Sequence, residues 1–85
     1  MSATRVLVQP RIDCDPQVLG GEPKIRGTRL SVRTIVVAHR GWGDIDRILD
    51  AYPELTRRDV EEALAYYEAH RSEVDAYVLR DQAED

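Results

Sequence analysis

Four basic side chains, Lys24, Arg26, Arg29 and Arg33, fall within ten positions around Gly27, and two more, Arg57 and Arg58, follow Thr56 at what reads as a helix start. Cations at this density suit one kind of chemistry, the holding of phosphate. The first group lies in Gly20-Gly21-Glu22-Pro23-Lys24-Ile25-Arg26-Gly27-Thr28-Arg29, where glycine amides and cations invite comparison with a phosphate-binding loop. Its spacing fits neither the Walker pattern nor the dinucleotide fingerprint, so a turn that needs glycine dihedrals is the stronger reading. Contact with a DNA backbone suits the cluster better than a nucleotide does, with Arg33 joining it from the first turn of the next helix.

Other chemistry finds little support. Cys14, His39 and His70 are the only soft ligands, too few and too scattered for zinc, so neither metal nor cofactor is expected. Glu61-Glu62 and Asp44-x-Asp46 have no companion base, nucleophile or oxyanion donor and read as solvated helix faces. A chain of 85 residues has little room for a buried, water-excluded site, so an enzyme is not expected. One cysteine excludes an internal disulfide, and no apolar run approaches the roughly 20 residues of a membrane helix; a cytoplasmic protein is the expectation.

The elements that must position the cations follow from local signals. Val6-Leu7-Val8, bounded by Pro10, reads as a strand or extended arm with no visible partner, open to exchange between subunits. Asp15-Pro16 and Leu19-Gly20-Gly21 suit one helical turn with a left-handed exit, and residues 23–30 suit a short hairpin turning Ile25 and Leu30 inward. Ser31 caps a first helix whose apolar face is Val32, Ile35, Val36 and His39, with Gly41 as its left-handed end and Trp42 folding back on Val37. Asp44 caps a second helix carrying Ile45, Ile48, Leu49 and Tyr52, stopped by Pro53.

Thr56 and Asp59 form a capping box for a third helix, with Leu55 set against Val60 as a hydrophobic staple. That helix buries Val60, Ala63, Leu64 and Tyr67. The periodicity either runs on to Val78 or breaks near His70, where Ser72-x-x-Asp75 offers a fresh cap. The chain is thus expected to be a single mainly α domain: an N-terminal β arm over 1–30, a helical core over 31–70, and a C-terminal helix with a frayed tail over 71–85.

The helix over 44–51, the link Tyr52-Pro53-Glu54-Leu55 and the capped helix from Thr56 have the length and punctuation of a helix-turn-helix. Its second helix would offer Thr56, Arg57 and Arg58 to DNA, although Glu61, Glu62 and Glu68 repel phosphate beyond the first turn. Charge divides in the same sense: residues 1–47 hold eight basic against five acidic residues, +3, and residues 48–85 hold four against eleven, −7. A basic front half suits nucleic acid, and an acidic rear half suits a basic protein or solvent.

Asp15-Pro16, Leu19-Gly20-Gly21-Glu22-Pro23, Ile25-Arg26-Gly27-Thr28-Arg29-Leu30-Ser31-Val32, Tyr52-Pro53-Glu54-Leu55-Thr56 and Ala63-Leu64-Ala65-Tyr66-Tyr67 closely resemble the domain of unknown function 433 family, over roughly residues 11–78. The resemblance implies a homeodomain-like helix-turn-helix bundle of three to four helices with a small N-terminal β element. It also implies an antitoxin that binds operator DNA and neutralises a cognate PIN-like ribonuclease toxin, with autoregulation of its operon. Where relatives have a Gly-Ala/Met-Ser/Thr-type link before the second helix, this chain has Gly41-Trp42-Gly43-Asp44, so Trp42 either covers the core or faces a partner. The segment 72–81 is acidic and amphipathic, and Val74, Tyr77 and Val78 are expected to meet the toxin, with Glu73, Asp75 and Asp81 available to a basic groove. A homodimer is expected, since helix-turn-helix proteins commonly bind as two-fold pairs. The competing expectation is an interaction or dimerisation module that never touches DNA.

Overall fold

The computed structural model describes the backbone of residues 6–83 and the side chains of residues 10–80. Strand β1 (Val6–Gln9) turns through Pro10 and Arg11 into β2 (Ile12–Cys14), which pairs on its other edge with β3 (Lys24–Ile25), giving an antiparallel sheet in the order β1-β2-β3. The partner that the N-terminal strand lacked in the sequence is therefore β2. The β2–β3 register is set by two adjacent cross-strand pairs. Ile12 faces Ile25, both fully buried, and Asp13 faces Lys24, which meet as an ion pair at 2.9 Å. A register slip would turn these isoleucines out of the core.

Between β2 and β3 the carboxylate of Asp15 accepts from the Gln17 N–H and its carbonyl from Val18, and a single 3₁₀ turn at Leu19–Gly21 reverses the chain. After β3 the chain turns tightly at residues 26–29 and returns to pair again, the Ile25 N–H donating to the Leu30 carbonyl at 2.8 Å. Gly27 sits in this turn at φ 79°, a left-handed conformation that disfavours a β-carbon. Thr28 braces it by donating its hydroxyl to the Ile25 carbonyl and accepting from the Leu30 N–H.

Ser31 caps α1 (Val32–Trp42), its hydroxyl accepting from the Thr34 N–H, and Val32, Ile35 and Val36 are buried as the apolar spacing predicts. The end of α1 differs from the prediction. The left-handed residue is Gly43, at φ 68°, whose N–H donates to the His39 carbonyl, so the cap falls two residues later than Gly41 and the helix includes Trp42. Both glycines can take this conformation without strain, and the later one lets Trp42 remain helical. Asp44 then caps α2 (Ile45–Ala51), which buries Ile48.

The capping box of α3 (Arg57–Ala69) forms in both directions: the Thr56 hydroxyl accepts from the Asp59 N–H and the Asp59 carboxylate accepts from the Thr56 N–H. Leu55 and Val60 are buried together as the staple requires. Helix α3 stops at His70, whose N–H bonds to the carbonyls of Tyr66 and Tyr67 and whose ring stacks on Tyr66 at 4.1 Å. A separate α4 (Arg71–Ala83) follows. Two helices, not one, close the fold, and α4 begins ahead of Ser72. Tyr66 rather than Tyr67 is the tyrosine most deeply buried on α3.

One cluster unites Ile12 and Ile25 from the sheet with Val32, Ile35, Val36, Ile48, Leu55, Val60, Ala63, Tyr66 and Val74 from the helices and their links. Each buried aliphatic side chain stabilises the fold by about 1.5–3 kcal/mol. No helix of the described residues is long and apolar enough to cross a membrane.

Candidate nucleic-acid interface

Arg26 and Arg29 flank Gly27 at the hairpin tip and are both exposed. They line an open groove of about 630 Å³ together with Arg11 from the β1–β2 turn, Gly27, Thr28, Leu30, and Glu54 from the link between α2 and α3. The guanidinium of Arg26 reaches back to the Pro10 carbonyl, and Arg29 is held by neither hydrogen bond nor ion pair among the described residues. The basic hairpin and the link between α2 and α3 thus form the walls of one groove.

Arg11 ties that groove to the start of α3. Its guanidinium donates to Asp59 and its backbone N–H donates to Glu62 at 2.9 Å. Burial works to raise the Asp59 pKa, but hydrogen bonds from the Thr56 backbone and the Arg11 guanidinium outweigh it and hold the carboxyl below its usual range. Asp59 is therefore both a helix cap and the anchor of Arg11. Arg58, with 68% of its side chain exposed, donates to Glu62 four residues on, and Arg57, 52% exposed, pairs with Asp46 on α2. Thr56 is exposed at the helix start, its hydroxyl committed to the cap.

Of the residues that the sequence assigns to DNA, Arg26, Arg29, Thr56, Arg57 and Arg58 are accessible at or beside this groove. Two are not part of it. Lys24 is 4% exposed and bound to the buried Asp13, because β3 is covered on both faces, so its ammonium is removed from any phosphate. Arg33 is half-buried, bonded to Glu22 at 2.9 Å, and lines a different groove with Trp42. Closeness in sequence brought four cations together on paper, and the fold sends them to three places. The proposed toxin contact also needs correction, since Val74 is fully buried and Val78 is 4% exposed, both packed inward, while Tyr77 is half-buried. Arg11 was missed: its role depends on a partner 48 residues away, and no local pattern announces it.

A cluster of this kind can hold a polyanion through guanidinium pairs and the exposed first turn of a helix. The opposing carboxylates of Glu54, Asp59 and Glu62 limit its net charge.

Comparison with known proteins places the fold. A crystal structure of a DUF433 member protein from Anabaena variabilis superposes with a TM-score of 0.78 at 33% identity, covering 85% of this chain and 71% of that one. An uncharacterised protein, y4eO, of Sinorhizobium fredii is 32% identical over 59 residues, which are 69% of this chain and 27% of that protein, so the chain spans about a quarter of this relative's length. The model of the family described as "Protein of unknown function (DUF433)" matches residues 12–67, from β2 to the second tyrosine of α3, and the chain belongs to that family.

Proposed function

We propose that this chain is a DNA-binding protein of antitoxin type that reads DNA through α2 and α3. The observation that carries the reading is the shared groove: Arg11, Arg26 and Arg29 stand beside Glu54 of the helix-turn-helix link, next to an exposed first turn bearing Thr56, Arg57 and Arg58. With the start of α3 directed at a major groove, Arg57 and Arg58 reach base edges or phosphates, and the hairpin tip brings Arg26 and Arg29 to the backbone. The pairs Arg57–Asp46 and Arg58–Glu62 do not oppose this strongly, because exposed ion pairs are worth about 0–1 kcal/mol and exchange readily for phosphate.

The family resemblance supplies the rest of the reading: a PIN-like ribonuclease as protein partner, autoregulation of the operon, and a homodimer on a two-fold site. The face of α4 for such a partner is its outer side, with Leu79 65% exposed and Tyr77 accessible in part.

Fluorescence anisotropy on the chain's own upstream DNA and on a scrambled duplex, across a salt series, tests the reading. Specific binding is expected, with a log–log salt slope of about −3.6 to −4.5 for four or five phosphate contacts. Replacing Arg26 and Arg29 together with Ala should reduce that slope by about 2. Equal or absent binding on both duplexes would sink it. A second reading, an interaction module that never meets DNA, is favoured by the carboxylates of Glu54, Glu61 and Glu62 on and beside the same surface. On that reading an Arg57→Ala/Arg58→Ala variant keeps every measurable interaction.

A further inference from the structure

The junctions between successive helices are made differently. Gly43 and the Asp44 cap separate α1 from α2, and Pro53 and the Thr56 cap separate α2 from α3. Between α3 and α4 there is no such punctuation, since from Glu54 to Asp85 the sequence contains neither glycine nor proline. Asp75, which the sequence offers as a cap partner of Ser72, turns to Arg40 and Tyr67 instead. A single residue, His70, leaves the helical range at φ −135° and ψ 44°. Even so, its N–H donates to the Tyr66 carbonyl and its own carbonyl accepts from the Val74 N–H, which are the bonds of an unbroken helix. Glu68 and Arg71 pair across the break at 2.7 Å with a helical i,i+3 spacing. Local sequence therefore favours one helix, and packing makes two: Val74 is fully buried and Val78 is 4% exposed where α4 lies against α1.

We infer that α3 and α4 straighten at His70 into one helix from Arg57 to Ala83, roughly 40 Å long, and that two copies of this chain thereby exchange α4. Each α4 then seats Val74 and Val78 on the other copy's α1. The occupant follows from the structure, because the surface that receives the exchanged helix is the one its own α4 covers. The same contacts re-form there: Arg40 to Asp75 at 3.0 Å, Tyr67 to Asp75 at 2.9 Å and Tyr66 to Glu73 at 3.1 Å. Straightening adds backbone bonds. The amides of Arg71, Ser72 and Glu73 head α4 with no partner inside it, and in the joined helix they donate to the carbonyls of Tyr67, Glu68 and Ala69. Against this stand the His70 ring, which stacks on Tyr66 at 4.1 Å in the bent form, and the entropy of association, so the balance shifts with protein concentration. The exchange closes as a two-fold pair. It uses none of the DNA-facing side chains and does not rest on the DNA reading.

The test begins with the unaltered chain, concentrated, equilibrated in mild urea so that α4 can detach, and separated by mass. A two-chain species is expected whose share grows with concentration, and in it the amides of Arg71, Ser72 and Glu73 should exchange with deuterium more slowly than in the single chain. Arg40→Cys with Asp75→Cys, in a Cys14→Ser background, is then treated with a short bis-maleimide. The two introduced thiols join within one chain in the monomer and between chains in the exchanged dimer, which a denaturing gel separates. His70→Ala and His70→Gly both remove the ring and differ in helix propensity. Because a dimer holds two hinges, the alanine variant should dimerise roughly tenfold to thirtyfold more tightly than the glycine variant. Three outcomes overturn the inference: a chain that stays single at every concentration even as His70→Ala; equal dimerisation of the two His70 variants; and a dimer cross-linked only within its chains, which would leave the two-fold pairing of the proposed function standing without exchange.

Discussion

Lys24 and Asp13 meet at 2.9 Å, and Arg40 and Asp75 meet at 3.0 Å, yet the first pair has 5% and 1% of its side chains exposed and the second 50% and 44%. Geometry alone would rank them as equals, but water separates them. The first pair joins β2 to β3 inside the fold, where neither charge can be re-solvated if its partner is lost. The second joins α1 to α4 at the surface, where Tyr67 shares the contact by donating to Asp75 and accepting from Arg40. Desolvation, not distance, therefore decides which polar contact the fold depends on.

The sharpest way to break this comparison is Lys24→Met. It leaves the Asp13 carboxylate buried and uncompensated and should destabilise the protein by about 3–5 kcal/mol, while the double variant with Asp13→Leu should recover much of that loss. Urea denaturation measures both; a loss for Lys24→Met near that of a surface pair would show that water reaches the site.

Asp59 comes next, since its carboxylate joins a helix cap to Arg11. Asp59→Asn should lower stability at pH 7 by about 1–2 kcal/mol, and Thr56→Ala by about 1 kcal/mol. Because the folded carboxyl titrates below its ordinary range, the unfolded chain takes up this proton first as acid is added. The contribution is complete above about pH 4 and is lost as pH falls through the folded value, so Asp59→Asn should flatten the acid limb of a stability–pH curve.

Arg40→Ala should show the smallest effect, about 0.5 kcal/mol or less. Its signature is local: faster hydrogen exchange in α4 with the sheet amides unchanged. A global loss comparable to that of Lys24→Met would erase the contrast.

Much of the helical half was legible because its signals are local. Ser31, Asp44 and the Thr56–Asp59 box each act within three residues, and the staple of Leu55 on Val60 spans one turn. What failed was longer in reach or finely balanced. Gly41 and Gly43 are equally able to end α1, and only packing chooses between them. Lys24 looked like its neighbours Arg26 and Arg29 because nothing within the run reveals that Asp13 lies opposite. Val74 and Val78 were legible as an apolar stripe, but a stripe does not say whether the chain's own core or another protein covers it. Arg26, Arg29, Arg57 and Arg58, read as exposed cations, are exposed, because they lie at a turn and at a helix start, where the chain's direction limits what can cover them.

The contact between Arg11 and Asp59 also bears on the order in which the molecule is made. These residues stand 48 positions apart, so on a ribosome adding about 5–20 residues per second the anchor of Arg11 is synthesised roughly 2–10 s after it. Closing one helix turn takes well under a millisecond, so α1 and α2 have ample time to form while the sheet, which β3 joins to α1, still lacks α3. Until α3 emerges, the side of the sheet that it covers remains available to chaperones or to other nascent chains.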